Sequence, residues 1–317
     1  MRSPDIDMST IAVTGATGFI GRHLTRALSE AGHRVRALTR RALGDDLATW
    51  VEGTLSSPDA LARLVEGADA VVHLAGVTKA LRRDDYFRDN VEGTRAVAGA
   101  VARVSPTAKL IHVSSLAARE PRLSDYAASK RASEQALRAH GDRLSLTILR
   151  PPAVYGPGDP ETLRLFAMAA RGWVLIPSVA NGRLSLVHVA DAVAAIVTAL
   201  DAAPHGLEPV EFDDGTPGGH DWPAVARAAG LAVRRETRTL ALPPALLLAA
   251  GAVGSVMAQL TRRPTLLSWA KAAEALHPDW VARPSALAGY HPRWNLENGF
   301  KDAVNWAVSR GLLKSDS

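Results

Sequence analysis

The sequence contains no cysteine, and this absence excludes a disulfide framework, a thiolate metal site and a cysteine nucleophile. It also fits a reducing compartment. Blocks of like charge are missing too: 31 arginines and 6 lysines are scattered along the chain and mixed with 32 acidic residues. That scatter argues against a nucleic-acid partner in spite of a pI near 9.8. Low-complexity and disordered stretches are also excluded, because 47% of the residues are hydrophobic and 22% are charged.

The first eight residues, MRSPDIDM, carry charge and have no apolar run. They predict a floppy tail and not a signal peptide. Together with the missing cysteines, this favours a cytoplasmic protein.

Beyond this tail, short apolar stretches alternate with segments of helical periodicity. Strands are predicted at residues 11–14, 35–38, 70–74, 109–113 and 144–149, and helices at 19–31, 86–104 and 126–140. Such alternation predicts an α/β fold with a doubly wound parallel sheet and right-handed crossovers. Proline and glycine become frequent after Pro152. We therefore expect a nucleotide-binding domain over residues 9–152 and a smaller α/β substrate lobe, interleaved with the sheet, over residues 153–317.

One long uncharged segment, Leu240 to Leu260, is followed by Arg262 and Arg263. A bilayer span needs roughly 20 apolar residues. Pro243 and Pro244 shorten the clean apolar run here to 16 residues. The favoured interpretation is a buried helix that lines an apolar pocket. Contact with a membrane surface and a true membrane span remain as less favoured alternatives.

Three glycines, Gly15, Gly18 and Gly21, lie between the first predicted strand and the first predicted helix. The first glycine permits a tight turn, the second lets the backbone approach a pyrophosphate, and the third lets the helix pack on the strand. The helix would then direct its free N–H groups and the positive end of its dipole at the phosphates. The spacing and its position predict a dinucleotide-binding, Rossmann-type turn.

The end of the second strand indicates which dinucleotide binds. Proteins that prefer NAD place an acidic residue there to hold the ribose 2′-hydroxyl. This chain has Thr39 followed by Arg40 and Arg41. Because an arginine can pair with a 2′-phosphate and an acid would repel it, the sequence favours NADP over NAD. Arg40 is the main expected contact, with Arg22 or Arg41 assisting.

A tyrosine and a lysine, Tyr126 and Lys130, are four residues apart in YAASK and so share one face of a predicted helix. A tyrosine exchanges protons poorly at neutral pH unless something favours its phenolate, and a cation one turn away has that effect. Ser114 and Ser115 follow the predicted strand KLIHV at its carboxyl end, where open parallel sheets bind ligands.

In these motifs the chain resembles the extended short-chain dehydrogenase/reductase family, also called the NAD-dependent epimerase/dehydratase family. The stretches that carry the resemblance are TGATGFIG, HLAG, NVEGT, HVSS, YAASK, LRPPAVYGPGD, LSLVHVADAV and GYHPRWNLENGFKDAVNWAVSRGLL. They occur in the family's order from about residue 10 to 313, nearly the whole chain.

The resemblance implies a role for each matching residue. Tyr126 is expected to be the catalytic acid/base, and Lys130 to lower its pKa and hold the nicotinamide ribose. Ser115 would polarise the substrate carbonyl or alcohol, with Ser114 as the alternative. Asn90 has either a catalytic or a structural role. His188 is expected to be structural, and Asp191 to cap the helix that follows it.

The same resemblance implies a set of cofactor and substrate contacts. Besides Tyr126, Lys130 and the residues already named, the expected cofactor contacts are Thr17, Phe19, Ile20, Thr54, Leu55, Leu74, Ala75, Gly76, Pro151 and Val154. Expected substrate contacts are Val77, Ser115 and Tyr155. A homodimer formed through the helices of NVEGT and YAASK is expected as well.

Departures from the family pattern bear on the substrate. Members that act on sugar nucleotides usually have a longer interval between the catalytic serine and tyrosine than the eleven residues found here. They also tend to hold the diphosphate with an arginine where this chain has Leu184, and Arg183 would lie on the opposite strand face. With the apolar segment, this pattern is nearest to hydroxysteroid-dehydrogenase and dihydroflavonol-reductase-like members.

The first hypothesis is therefore an NADP-dependent oxidoreductase that interconverts a ketone and a secondary alcohol on an apolar small molecule. Two alternatives remain open: a nucleotide-sugar epimerase or dehydratase, and a non-catalytic subunit that holds NADPH. The intact set of Ser115, Tyr126 and Lys130 argues against the last.

Overall fold

A computed structural model describes residues 8–41, 43–263, 265, 267–283 and 287–314, and only the backbone of Asp142. Most of the predicted N-terminal tail lies outside the described residues. The strands are β1 Thr10–Thr14, β2 Arg34–Thr39, β3 Thr49–Glu52, β4 Ala70–His73, β5 Lys109–Val113, β6 Ser145–Arg150, β7 Ala153–Tyr155, β8 Trp173–Pro177, β9 Arg183–Leu184, β10 Leu186–His188, β11 Pro209–Glu211, β12 His220–Asp221, β13 Arg238–Leu242 and β14 Asp279–Trp280.

The helices are α1 Phe19–Glu30, α2 Pro58–Val65, α3 Arg83–Phe87, α4 Gly93–Val104, α5 Asp125–Leu137, α6 Pro160–Ala169, α7 Val189–Asp201, α8 Trp222–Ala232, α9 Pro244–Thr261, α10 Trp269–Leu276 and α11 Leu296–Ser309. A π-helix, Arg88–Glu92, joins α3 to α4, and 3₁₀ segments lie at Leu116–Arg119 and Arg138–Arg143.

Seven parallel strands form the main sheet in the order β11-β6-β5-β4-β1-β2-β3, as in a doubly wound Rossmann-type fold. One core lies between this sheet and α1 and α7, and a second lies on the other face, under α2 and α4. The strands are buried on both faces, so they appear in the sequence as continuous apolar runs. The predicted fold class is confirmed.

The second lobe contains three small sheets, β7–β10, β12-β9-β14 and β8–β13, together with α6, α8 and α11. The chain does not stay in this lobe after residue 153. Helix α7 packs on the main sheet, and β11 extends that sheet beside β6. The two predicted ranges therefore interleave in space.

Two predicted elements differ from the structure. The helix expected over residues 86–104 is divided into α3, the π-helix and α4. The widened turn brings Asn90 inward, where it is 2% exposed. Helix α9 was expected to be a buried pocket helix, but only 17% of it is buried. Among the described residues, α9 is the one helix whose length and apolar composition would suffice to cross a bilayer.

A buried ion pair anchors α5 to the carboxyl end of β6. Arg150 donates from Nε and Nη2 to the two carboxylate oxygens of Glu134, at 2.8 and 2.6 Å, and both side chains are nearly inaccessible to solvent. Glu211 on β11 lies 3.4 Å from the same guanidinium. These carboxylates hold the pKa of Arg150 above its ordinary value, although burial opposes the charge.

Glu134→Ala should lower the free energy of unfolding by about 3–5 kcal/mol, because it removes a main partner of a buried charge. Arg131→Ala is the matched control. Arg131 approaches the same carboxylate at 3.5 Å but is 41% exposed, so its removal should cost less than about 1 kcal/mol. Urea denaturation measures both values. Equal losses for the two variants would contradict the anchoring role of the buried pair.

Candidate active site

The site lies where the strand order reverses between β1 and β4, at the carboxyl ends of the strands. Open parallel sheets bind ligands in the crevice at this point. Here the chain leaving β1 touches the chain leaving β4. A Cβ on Gly15 would lie 2.6 Å from the amide nitrogen of Ala75, and one on Gly21 would lie 2.0 Å from the carbonyl oxygen of Gly15. Only glycine fits at these two positions, and Gly15 also has a φ of +75°.

The amino end of α1 fits the phosphates of a dinucleotide. Gly18 is the residue at its N-cap and supplies no side-chain cap to the free N–H groups. A Cβ on Gly18 would meet only the Gly15 carbonyl oxygen, at 3.1 Å, so the space outside the turn is open. Thr17 and Gly18 are exposed, and Phe19 and Ile20 form the first turn of the helix.

The end of β2 lies beside this turn, because β1 and β2 are paired through Val13 and Ala37. Thr39 closes the strand by donating its hydroxyl to the carbonyl oxygen of Arg41, at 2.7 Å. Arg40 and Arg41 follow with exposed side chains, and Arg22 on α1 is also exposed. The three predicted arginines therefore border one edge of the crevice.

Two further segments border the crevice. After β3, Thr54 is exposed, whereas Leu55 is half-buried and packs against Gly93. A Cβ added to Gly93 would lie 2.5 Å from the Cδ1 atom of Leu55. After β4, the amides of Leu74 and Ala75 donate to the backbone and side chain of Thr14. Gly76 and Val77 continue this loop.

The two serines after β5 point in different directions. Ser114 is buried and donates its hydroxyl to Glu134 at 2.6 Å. Ser115 is partly exposed, and its side chain forms a hydrogen bond that favours the ionised form of Tyr126. The amide of Leu116 donates to the carbonyl oxygen of Pro151, which fixes this turn against the end of β6. The geometry thus favours Ser115 over Ser114 as the serine that faces a substrate.

Tyr126 and Lys130 lie on α5, as the spacing requires. Ser124 caps the helix by accepting from the Ala127 amide at 2.9 Å, which places Tyr126 in the first turn. Burial raises the pKa of Tyr126, and the hydrogen bond with Ser115 opposes this increase. Lys130 is buried and donates to the carbonyl oxygen of Val113 at 2.8 Å. Burial lowers its pKa to about 8.

A second lysine, which the sequence analysis missed, lies beside the phenol. The Nζ atom of Lys271, on α10, is 5.5 Å from the centroid of the Tyr126 ring, and its charge is the main cationic influence that lowers the pKa of Tyr126. Burial opposes the charge of Lys271, but Glu274 at 2.8 Å keeps its pKa above the ordinary value. The one signal in the sequence that could have drawn attention to Lys271 is the rarity of lysine, since only 6 of the 37 basic residues are lysine.

Asn90 uses its side-chain amide to join two parts of the site. It accepts from the Val77 amide at 2.8 Å and donates to the Val77 carbonyl oxygen at 3.1 Å. Its second donor contact is the hydroxyl of Ser129, on α5, at 2.8 Å. This set of contacts favours the structural alternative for Asn90.

Tyr155 was expected to contact substrate, and the structure describes where its side chain lies. Its ring is 3% exposed and packs edge-on against His188 and Phe300. A Cβ on Gly299 would lie 2.2 Å from its hydroxyl oxygen. Tyr155 is therefore enclosed in the core of the second lobe. Val154, one residue earlier, faces the core under the main sheet and is only partly buried.

His188 and Asp191 lie at the amino end of α7. His188, and not Asp191, caps α7 by accepting from the Ala190 amide at 3.3 Å. Burial lowers the pKa of His188 to about 4, and its ring stacks on Trp294, which agrees with a structural role. Asp191 instead accepts from the amides of Arg293 and Trp294, and so ties the carboxyl-terminal segment to α7.

The guanidinium of Arg183 is engaged by backbone groups of the second lobe. It donates from Nε and Nη2 to the carbonyl oxygens of Gly218 and Gly219, both at 2.8 Å. Leu184 is buried in the second-lobe core. The adjacent strand residues thus point to opposite sides, as their alternation predicts.

Comparison with known proteins agrees with this geometry. Residues 11–212 match the family profile described as "NAD dependent epimerase/dehydratase family". The chain is also 42% identical over 309 residues to a ceramide reductase of Caulobacter vibrioides, with 96% of each chain covered. The protein belongs to the NAD-dependent epimerase/dehydratase family. It is an NAD(P)-dependent oxidoreductase of the extended short-chain dehydrogenase/reductase type.

Two other relatives extend the comparison. The chain is 32% identical over 237 residues to a 4-hydroxy-2-methyl-3-oxo-4-farnesyl-3,4-dihydroquinoline-1-oxide ketoreductase of Stigmatella aurantiaca, covering 65% of this chain and 68% of the relative. Among solved structures, MoeE5 in complex with UDP-glucuronic acid and NAD superposes with a TM-score of 0.69 at 23% identity, covering 96% of this chain and 100% of MoeE5. This likeness concerns the fold.

Lys271→Met should raise the pKa of Tyr126 further, because it removes the cation that stabilises the phenolate. Alcohol oxidation, which needs the phenolate as base, should then begin at higher pH, whereas Lys271→Arg should keep the wild-type profile. The measurement is kcat/KM against pH. A methionine variant with the wild-type profile would show that Lys271 does not act on Tyr126.

Proposed function

We propose that this protein is an NADP-dependent reductase that converts a ketone of a long-chain, lipid-like molecule into a secondary alcohol. The observation that carries the proposal is the cluster formed by Ser115, Tyr126 and Lys271 at the carboxyl edge of the sheet. It combines one polarising hydroxyl, one proton donor and one half-buried cation. Reduction of a carbonyl needs these groups together with a hydride donor.

In the proposed mechanism the Ser115 hydroxyl donates a hydrogen bond to the carbonyl oxygen of the substrate. Tyr126 gives its phenolic proton to that oxygen as negative charge develops there. Lys271 stabilises the phenolate that remains. When bound, the reduced nicotinamide supplies the hydride that reaches the carbonyl carbon. Oxidation of the alcohol follows the same steps in reverse, with the phenolate as base.

The amino end of α1 would hold the cofactor pyrophosphate, and Lys130 would hold the nicotinamide ribose once its ammonium turns from the Val113 carbonyl. For the ribose 2′-phosphate we assign Arg40, with Arg22 and Arg41 assisting. Exposed arginines at the end of β2 support NADP, because an arginine binds a phosphate through two parallel hydrogen bonds.

For the substrate we propose a ketone whose reduction gives a ceramide-type secondary alcohol. A relative that covers nearly the whole chain, at 42% identity, is named a ceramide reductase, and the Stigmatella relative is named as a ketoreductase of a farnesyl compound. A ceramide carries a secondary alcohol next to the carbon that bears its amide. A ketone at that position is a group that the proposed site would reduce.

The two alternative functions are less well supported. A sugar nucleotide would need a positive group for its diphosphate, and Arg183 is occupied by the carbonyl oxygens of Gly218 and Gly219. A subunit that only holds NADPH would need none of the catalytic set. The expectations of a homodimer, a cytoplasmic location and no nucleic-acid partner stay predictions.

With NADPH and an N-acylated long-chain 3-keto sphingoid base in mixed micelles, the wild-type protein should oxidise NADPH, followed at 340 nm in a standard absorbance assay. Tyr126→Phe should lower kcat by roughly 10²–10⁴-fold, because it removes the proton donor. Tyr86→Phe is the control, since the Tyr86 ring neighbours Tyr126 at 6.4 Å and has no assigned proton transfer. Turnover of UDP-glucose in the absence of added NADPH would favour the epimerase alternative.

Arg40→Asp should weaken NADPH binding by roughly tenfold to a hundredfold, since a charge-assisted contact with the 2′-phosphate is replaced by repulsion. NADH binding should change little or improve. Nicotinamide fluorescence titration measures both, with the exposed Arg310→Asp as a control for net charge. A wild-type preference for NADH would overturn the choice of NADP.

A further inference from the structure

Helix α9 exposes a broad apolar face that the proposed chemistry does not use. The exposed fractions are 61% for Leu246, 63% for Val253, 59% for Val256, 46% for Met257 and 74% for Leu260. With Ala249 and Ala250, which are also exposed, these residues form one continuous side of the helix. We call this set the α9 face. A helix that is apolar all round is normally buried, yet α9 is not.

The opposite side of α9 is fixed to the protein. A Cβ on Gly251 would lie 2.8 Å from the carbonyl oxygen of Ser268, and one on Gly254 would lie 1.9 Å from that of Leu267. The Trp269 amide donates to the Ser255 hydroxyl at 2.9 Å. Because the two glycines let α9 approach the backbone at the start of α10 closely, α9 is held along α10 and the α9 face points to solvent.

Charge and aromatic residues around the α9 face indicate what covers it. Residues 237–273 contain no aspartate or glutamate, whereas Arg238 precedes α9 and Arg262 and Arg263 follow it. All three arginines are exposed. Trp269, 51% exposed, lies beside the helix. Apolar helices flanked by cations and tryptophan are typical of binding to the interface of an anionic membrane.

Two other arrangements fit less well. A transmembrane span would require α9 to separate from α10 and lose the close contacts at Gly251 and Gly254. Pairing of the α9 face with a second copy would be a symmetric contact, in which each residue meets its equivalents. Such pairing would bring Arg238, Arg262 and Arg263 of two copies together without an acidic partner from residues 237–273.

We propose that the α9 face docks the protein on the surface of an anionic lipid bilayer, with α9 lying parallel to that surface. The apolar side chains enter the boundary between headgroups and acyl chains, and the flanking arginines contact lipid phosphates. Helix α10 lies between this face and the active site, since Lys271 on α10 is over the Tyr126 ring. Docking therefore brings the bilayer within one helix of the residues that would reduce a lipid ketone.

The test is flotation of the full-length protein with vesicles of phosphatidylcholine and phosphatidylglycerol, without substrate, so that its result does not depend on the proposed function. Wild type should float with these vesicles and much less with phosphatidylcholine alone, and salt should release part of it. The double variant Val253→Asp/Leu260→Asp should lose binding by roughly tenfold or more. Leu312→Asp, at a site that is 51% exposed on the segment after α11 and outside the α9 face, should bind as wild type does.

Nicotinamide fluorescence shows whether the α9 variant still binds NADPH and is folded. A second measurement uses the wild type and therefore does not depend on whether the double variant folds. Brominated phosphatidylcholine should quench the tryptophan emission of the wild type on docking, and Trp269→Phe should remove part of that quenching. The proposal is wrong if wild type does not float with anionic vesicles or if the α9 variant floats equally well. It is also wrong if the α9 face instead holds two copies together. In that case sedimentation velocity would find a dimeric wild type and a monomeric double variant.

Discussion

The geometry of the site depends on the buried pair of Glu134 and Arg150. Because the guanidinium binds both carboxylate oxygens, α5 is fixed both along and across the sheet. The same carboxylate accepts the hydroxyl of Ser114, which turns that side chain inward. On an extended backbone the next residue points the other way, so Ser115 faces Tyr126. One ion pair thus determines the position of the phenol and the choice between two adjacent serines.

The electrostatics of the site result from two opposed effects. Burial makes ionisation of Tyr126 harder, and the nearby hydroxyl and cation make it easier. The two lysines are arranged differently: Lys271 is partly exposed and is held charged by Glu274, whereas Lys130 is buried and donates to a backbone carbonyl. Burial lowers the pKa of Lys130 to about 8.

Local features were predictable from the sequence, and distant contacts were not. The glycine turn and the strands around it follow from spacing and apolar runs, since neighbours in the chain determine them. The enclosure of Tyr155 was not predictable, because its partners, Gly299 and Phe300, lie far along the chain. Lys271 was missed for the same reason, as it is 145 residues from Tyr126. The exposure of α9 was unpredictable because a pattern that is apolar on all sides does not indicate which side is covered.

The return of the chain to the main sheet at β11 has a consequence for biosynthesis. Arg150 and its strand are synthesised well before Glu211, which neutralises part of the same charge and also accepts from the Arg283 amide at 2.8 Å. A nascent chain that has emerged only as far as Pro152 therefore carries a sheet with an open edge at β6. Such an edge can pair with other chains until residues 209–211 arrive, so the amino-terminal half depends on the second half for protection against aggregation.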